Sequence, residues 1–192
     1  WWSRQNWSGW RASLTPIYFV WQIILFSYYL ILFLRYQPRV VHIQSKDDFI
    51  AGTYAARLVG ARVIWSDHAD LKHIFRNHTV WYKNPIGKTV YLAAHFAEKI
   101  TVVSQEDKRL ITESIPSDKR VVGRMHVIYN GAFDSYNPHI KKNKVFTFVS
   151  TGRLVTDKGI GELIDAFIQF HSIHKDSQLY LLGDGPERLK FE

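Results

Sequence analysis

The chain has 192 residues, of which 46% are hydrophobic, so it is long and apolar enough to form a packed domain rather than a disordered segment. It contains no cysteine, which excludes disulfides, thiolate metal sites and cysteine chemistry. The formal net charge is +8, and residues 1–140 carry most of it, with 17 Lys and Arg against 10 Asp and Glu. The basic residues are scattered and match no nucleic-acid-binding pattern, so we expect no nucleic-acid partner.

The first segment with a clear pattern is an uncharged apolar run over residues 17–34, which precedes Arg35. Thr15 and Pro16 predict the N-cap and first turn of a single helix over this run. Three placements of the helix stay open: buried in the domain, lying on a membrane surface, or spanning a membrane. Its length of roughly 27 Å is slightly short of the ~30 Å hydrocarbon core, and Gln22 interrupts the run, so a span is the least favoured. The aromatic residues and flanking arginines favour a membrane surface.

From residue 38 onward, short β-branched runs alternate with helical segments. We expect strands at 40–43, 62–65, 100–103 and 126–129, a loop over 67–84, and helices that end near Val59, cover 85–98 and begin after Ser104. This alternation predicts a doubly wound α/β fold with parallel strands. Ligands of such folds bind beyond the carboxyl ends of the strands. Polar residues or glycine stand at each of those ends: Gln44-Ser45, Asp67-His68, Ser104-Gln105 and Asn130-Gly131.

A second βα unit follows a segment without apolar periodicity. In it we expect a strand at 145–149, a loop at 152–158, an amphipathic helix at 160–174, a strand at 178–182 and a turn at 183–186. The predicted domain organisation is a first domain over 1–131, a linker over 132–143 and the start of a second domain over 144–192.

The loop between strand and helix in this second unit has the composition of a diphosphate site. Gly152 allows a phosphate to approach the backbone, the following helix N-terminus favours an anion, and Arg153 and Lys158 supply positive charge. The loop is neither a Walker loop nor a dinucleotide fingerprint. The alternative interpretation is a pair of basic residues in a solvated turn.

This region resembles the GT-B glycosyltransferases of the family-4 type. The residues that match the opening pattern of their C-terminal domain are Gly152, Arg153, Leu154, Lys158, Gly159, Leu163, Ile164, Ala166 and Phe167. Residues 179–187 resemble the strand and Gly-x-Gly-Pro turn that follow, and the segments 38–42, 100–104 and 127–131 resemble landmarks of the N-terminal domain. The resemblance implies a GT-B fold with two Rossmann-like domains. We expect both domains to be incomplete, because the family's first glycine-rich loop and its Glu-x7-Glu segment are absent from the sequence.

The resemblance also implies roles for individual residues. In this family the residues that match Arg153 and Lys158 hold the donor diphosphate and stabilise the leaving group. Donor contacts are also implied for the glycine positions and the aspartate of the two loops: Gly152, Gly183, Asp184 and Gly185. His68 matches a histidine that faces the acceptor, although a solvated loop histidine is an equal alternative. The residues expected to line the interdomain cleft are Ser104, Asn130 and Gly131.

The function that the resemblance implies is transfer of a sugar from a nucleotide-diphosphate sugar to a sugar or lipid-linked acceptor, with retention of configuration. We expect no metal, since His68, His73 and His78 form no convincing ligand set, and no cofactor. A cytoplasmic location, with peripheral contact at the membrane face, and a role in cell-surface polysaccharide or glycolipid synthesis are hypotheses. The alternative function is a non-catalytic nucleotide-sugar or phosphate-binding module, a degenerate paralogue. We expect the 192-residue segment alone to be inactive.

Overall fold

The computed structural model describes residues 14–68, 71–75, 85–132, 139, 141 and 143–191. The chain divides into two compact units, Trp1–Ala132 and Phe133–Glu192. The helices of the first unit are α1 (Thr15–Tyr36), α2 (Phe49–Leu58), α3 (Leu71–Ile74), α4 (Pro85–Ala94), α5 (Gln105–Ser114) and α6 (Lys119–Val122). Its strands are β1 (Val40–Ile43), β2 (Arg62–Asp67), β3 (Lys99–Val102) and β4 (Met125–Val127).

The four strands of the first unit form one parallel sheet in the order β1-β2-β3-β4. Parallel crossovers are right-handed, so a sequential order places the connecting helices on the same face of the sheet. Burial along the strands agrees: Val63, Trp65 and Ile100 are fully buried, whereas His42 and His126 on the opposite face are exposed. The predicted α/β fold with parallel strands is confirmed.

Trp65 lies at the centre of the core between the sheet and α2. Its ring stacks on Phe49, with ring centroids 4.1 Å apart and planes inclined by 5°. The indole Nε1–H donates to Thr53 Oγ1 over 2.8 Å, and both side chains are fully shielded from solvent. The single polar atom of the ring therefore enters the core with its hydrogen bond made.

Helix α1 is mostly exposed, so the structure does not bear out the first of its three open placements, burial in the domain. Only Tyr18 and Gln22 are buried, because one edge of the helix alone packs against α2. Gln22 Nε2 donates to Asp47 O over 2.8 Å, Ala51 N donates to Gln22 Oε1 over 3.2 Å, and Tyr29 Oη donates to Asp48 Oδ1 over 2.9 Å. The apolar side chains on the opposite side are exposed. We call Val20, Trp21, Ile24, Tyr28, Ile31 and Leu34 the outer stripe of α1.

Several predicted boundaries are corrected by local hydrogen bonding. Leu14 is the N-cap of α1, so Thr15 already lies in the first turn. The 67–84 segment is not all loop, since it contains α3, although residues 69–70 and 76–84 lie outside the described part of the chain. Helix α4 ends at Ala94 rather than at Glu98, because Glu98 N already donates to Val63 O in the sheet, over 2.8 Å.

The second unit has two parallel strands, β5 (Phe146–Thr151) and β6 (Ser177–Leu182), joined by α7 (Ile160–Ile173). A short α8 (Arg188–Phe191) follows the turn after β6. The elements follow the order expected from the sequence, and a single 3-10 turn, Thr156–Lys158, lies inside the predicted loop. Every loop that follows a strand here leaves from the same edge of the sheet, as in the first unit.

We expect the replacement Thr53→Val to lower the free energy of unfolding by about 1–3 kcal/mol, because it leaves the buried Trp65 N–H without an acceptor. Thr53→Ser keeps the hydroxyl and serves as the matched control, with a smaller loss. Urea unfolding followed by Trp fluorescence measures both variants. Equal losses for valine and serine would show that the hydrogen bond contributes nothing.

Candidate functional site

The turn after β2 carries His68, the predicted acceptor-side residue. Asp67 is buried, and its Oδ1 accepts a hydrogen bond from Leu71 N over 3.1 Å, which shapes the turn and starts α3. His68 follows at the surface, with no hydrogen bond or ion pair to another described residue. Asp67 thus holds the backbone while the His68 imidazole stays accessible at the carboxyl edge of the sheet.

Ser104, predicted to line a cleft, is the N-cap of α5. Its hydroxyl accepts from Asp107 N over 3.0 Å, which caps the helix, and donates to Asp107 Oδ2 over 2.8 Å. Asp107 Oδ1 also accepts from Lys72 Nζ over 2.8 Å. Ser104 is therefore committed to the helix end, and the ion pair fastens α3 to the start of α5.

The charge of Asp107 is stabilised in the folded protein. Burial alone would raise the pKa of this carboxyl, but hydrogen bonds from Lys72 and Ser104, with the nearby positive charge, outweigh it and hold the pKa below its usual value. Asp107 also places a negative charge in the first turn of α5, where the helix dipole favours it. The Asp107 carboxylate is therefore the negative charge that stabilises the N-terminus of α5.

Asn130 and Gly131 lie three and four residues beyond the end of β4, and both are exposed. The backbone stays close to the sheet up to Ile128, whose N–H donates to Val102 O over 2.9 Å. The two residues therefore leave the sheet at the same edge as His68. That they line an interdomain cleft with Ser104 stays a prediction.

In the second unit, the loop after β5 leaves space for a ligand at Gly152. A Cβ built on Gly152 would meet nothing within 4 Å. Arg153 and Lys158 are exposed, and neither side chain makes a hydrogen bond or ion pair with another described residue. Gly159 has φ of 65°, a left-handed conformation that glycine adopts without strain, and it starts α7. The loop therefore presents two uncompensated cations beside an open backbone and a helix N-terminus.

Gly183 and Gly185 have a structural role next to this loop. A Cβ on Gly183 would lie 1.8 Å from Gly152 O, and one on Gly185 would lie 2.3 Å from Leu154 O. Backbone bonds continue the sheet into both loops: Gly152 N donates to Leu182 O and Leu154 N donates to Asp184 O, each over 3.0 Å. Asp184 Oδ1 accepts from Gly185 N over 2.8 Å within the turn. Both glycines are needed for this close approach, and their predicted donor contacts stay predictions.

The comparisons with known proteins bear on the first unit. Residues 10–133, more than half of the chain, match the sequence profile of Glycosyltransferase Family 4. The chain belongs to glycosyltransferase family 4. An alpha-monoglucosyldiacylglycerol synthase of Acholeplasma laidlawii is 32% identical over 47 residues, which are 24% of this chain and 12% of that protein. The matched stretch thus spans far less than two thirds of this relative. Family membership confirms the predicted GT-B type of fold.

Two side-chain hydrogen bonds, one in each unit, have no signal in the sequence. Lys72 and Asp107 are 35 residues apart, and Thr156 and Glu187, whose side chains are hydrogen-bonded, are 31 residues apart. Neither pair has a local pattern, and only the folded topology brings them together. Within the described residues, no group of three or more His, Asp or Glu side chains is arranged to hold a metal ion.

We expect Asp107→Asn to lower the free energy of unfolding by about 1–3 kcal/mol at pH 7, since it leaves Lys72 without its ion pair. The folded-state pKa of Asp107 is lowered, so its contribution is complete well above pH 4 and is lost as the pH falls through the folded-state value. The stability difference between parent and variant should therefore shrink below about pH 4. Unfolding curves from pH 3 to 7 measure this difference, with Asp165→Asn as control, because the Asp165 side chain is exposed and has no ion pair with another described residue. A pH-independent difference would contradict it.

Proposed function

We propose that the whole protein transfers a sugar from a nucleotide-diphosphate sugar to a sugar or lipid-linked acceptor, with retention of configuration. The observation that carries the proposal is the loop of the second unit, where Arg153 and Lys158 are exposed and uncompensated next to the open backbone of Gly152. A diphosphate gains negative charge as it leaves the sugar, and fixed cations favour that transition state. Family membership supports sugar transfer as the reaction class.

His68 is the proposed acceptor-side residue. It is exposed at the carboxyl edge of the first sheet, between two anchored points, Asp67 and Lys72. An imidazole at this position can donate a hydrogen bond to a hydroxyl of the acceptor or accept one from it. In this assignment the first unit binds the acceptor and the second unit binds the donor.

We expect Arg153→Ala and Lys158→Ala in the full-length protein each to weaken binding of a nucleoside diphosphate by about 10- to 100-fold, as loss of a charge-assisted contact predicts. Titration calorimetry with the diphosphates of uridine, guanosine and adenosine covers the unknown base. Lys175→Ala, an exposed lysine elsewhere in the second unit, is the matched control. If the parent binds none of these diphosphates, or if all three alanine variants behave alike, the donor site is wrongly assigned.

The same protein is proposed to work at the cytoplasmic face of a membrane, in synthesis of cell-surface polysaccharide or glycolipid. Among the described residues, α1 is long and apolar enough to cross a membrane, a weak criterion that core helices and signal sequences also meet. Its contacts support lying on the surface instead, because Gln22 and Tyr29 tie the inner side of the helix to residues 47–51. The outer stripe and the positive charge of residues 1–140 suit an anionic lipid surface.

We expect Ile24→Ser and Ile31→Ser in the outer stripe each to reduce binding to vesicles of anionic phosphatidylglycerol about tenfold or more, since each removes an exposed apolar side chain that would enter the membrane and leaves the charge unchanged. Leu58→Ser is the matched control, because Leu58 is about as exposed as Ile31 but belongs to α2. Co-sedimentation with anionic and with neutral phosphatidylcholine vesicles measures the effect. Equal binding by all variants, or no binding by the parent at low salt, would remove the membrane assignment.

A non-catalytic nucleotide-sugar or phosphate-binding module is the second candidate, because the exposed cations of the loop would serve it equally well. The two functions differ in turnover. Release of nucleoside diphosphate from a nucleotide sugar in the presence of membrane lipids supports the enzyme. Tight diphosphate binding without turnover of any nucleotide sugar supports the module.

A further inference from the structure

The two halves of the 152–158 loop are held in different ways. Backbone hydrogen bonds fasten the first half to the turn after β6: Leu154 N donates to Asp184 O over 3.0 Å, and Glu187 N donates to Leu154 O over 3.3 Å. Residues 155–158 make no backbone hydrogen bond to that turn within the described part of the chain. The backbone of the second half makes only short-range hydrogen bonds: Val155 N donates to Arg153 O, and Lys158 N donates to Val155 O.

A side-chain hydrogen bond supplies the missing connection. Thr156 Oγ1 donates to Glu187 Oε1, which links the 3-10 turn of the loop to the residue just after the Gly-x-Gly-Pro turn. The second carboxylate oxygen, Glu187 Oε2, is shielded from solvent and has no hydrogen-bond partner among the described residues. An ionised carboxylate in this position favours retaining the bond to Thr156, because losing it would leave both oxygens unsatisfied.

We propose that Glu187, acting through Thr156, is a positioning residue that holds Lys158 in place for the donor diphosphate. This inference rests on the proposed function of the loop. Lys158 follows Thr156 by two residues in the same 3-10 turn, so fixing the Thr156 side chain restrains the backbone from which the lysine extends. Arg153 lies in the half that the backbone already holds, and it does not depend on this bond.

The replacement Thr156→Val removes the hydroxyl at nearly constant shape, at an exposed position where the fold is not at risk. In the full-length protein we expect it to raise the Kd of the best-binding nucleoside diphosphate about five- to tenfold, as loss of one hydrogen bond predicts. Glu187→Ala should have a similar effect. Thr156→Ser and Glu187→Gln, which keep a donor and an acceptor respectively, should restore most of the affinity.

Double mutants separate positioning from a general loss of structure. Thr156→Val combined with Lys158→Ala should be no weaker than Lys158→Ala alone, because the bond acts through the lysine. Combined with Arg153→Ala, its effect should add in full. Additivity with both, or an unchanged Kd for Thr156→Val, overturns the proposal while leaving the diphosphate site intact.

Hydrogen exchange tests the bond without any ligand. In Thr156→Val the amides of residues 156–159 should exchange faster, whereas those of β5 keep their protection. Unchanged exchange in the loop overturns the proposal. Failure of the parent protein to bind any diphosphate is a different result, since it contradicts the proposed function itself.

Discussion

The sequential order of four parallel strands is the constraint on which the rest of the first unit depends. Because each crossover is right-handed, the order β1-β2-β3-β4 sends every loop after a strand to one edge and the connecting helices to one face. The buried face is then filled by β-branched and aromatic side chains around Trp65. His68 and Asn130 leave at the same edge although they are 62 positions apart in the chain. The second unit applies the same rule with one crossover.

At both edges, most of the polar residues and glycines hold the backbone, and few remain for a ligand. The Asp67 carboxylate and the Ser104 hydroxyl accept hydrogen bonds from backbone N–H groups. The Asp107 carboxylate accepts one from Lys72. In the second unit, Gly183 and Gly185 permit two loops to touch. Among the described residues, those that remain are His68, Asn130 and Gly131 in the first unit and Gly152, Arg153 and Lys158 in the second. A polar residue at the end of a strand is thus an ambiguous signal until its partners are known.

The elements could be predicted because their signals are local. Short β-branched runs located the strands, and Ser104 marked the start of α5. The exposure of α1 could not be predicted, since an apolar helix has the same sequence whether its surface is covered or free. The Lys72–Asp107 and Thr156–Glu187 bonds were also beyond prediction, because each joins residues that only the crossovers bring together. The glycine turn was found, but its close approach to Gly152 and Leu154 required the register of β5 and β6.

The two units contribute different kinds of support to the proposed reaction. The family match covers residues 10–133, whereas the diphosphate chemistry rests on the geometry of residues 152–187. The two parts of the chain also differ in charge. Residues 1–140 contain 17 basic and 10 acidic residues, whereas the residues beyond 140 contain 8 and 7. At 0.1 M salt, the attraction of an excess charge is largely screened beyond about 10 Å. Within that distance the excess attracts an extended anionic surface, whereas a diphosphate needs only fixed cations at contact. Under the proposal, the unit with the excess charge and the exposed helix meets the membrane and its acceptor. The nearly neutral unit then holds the diphosphate of the donor through Arg153 and Lys158.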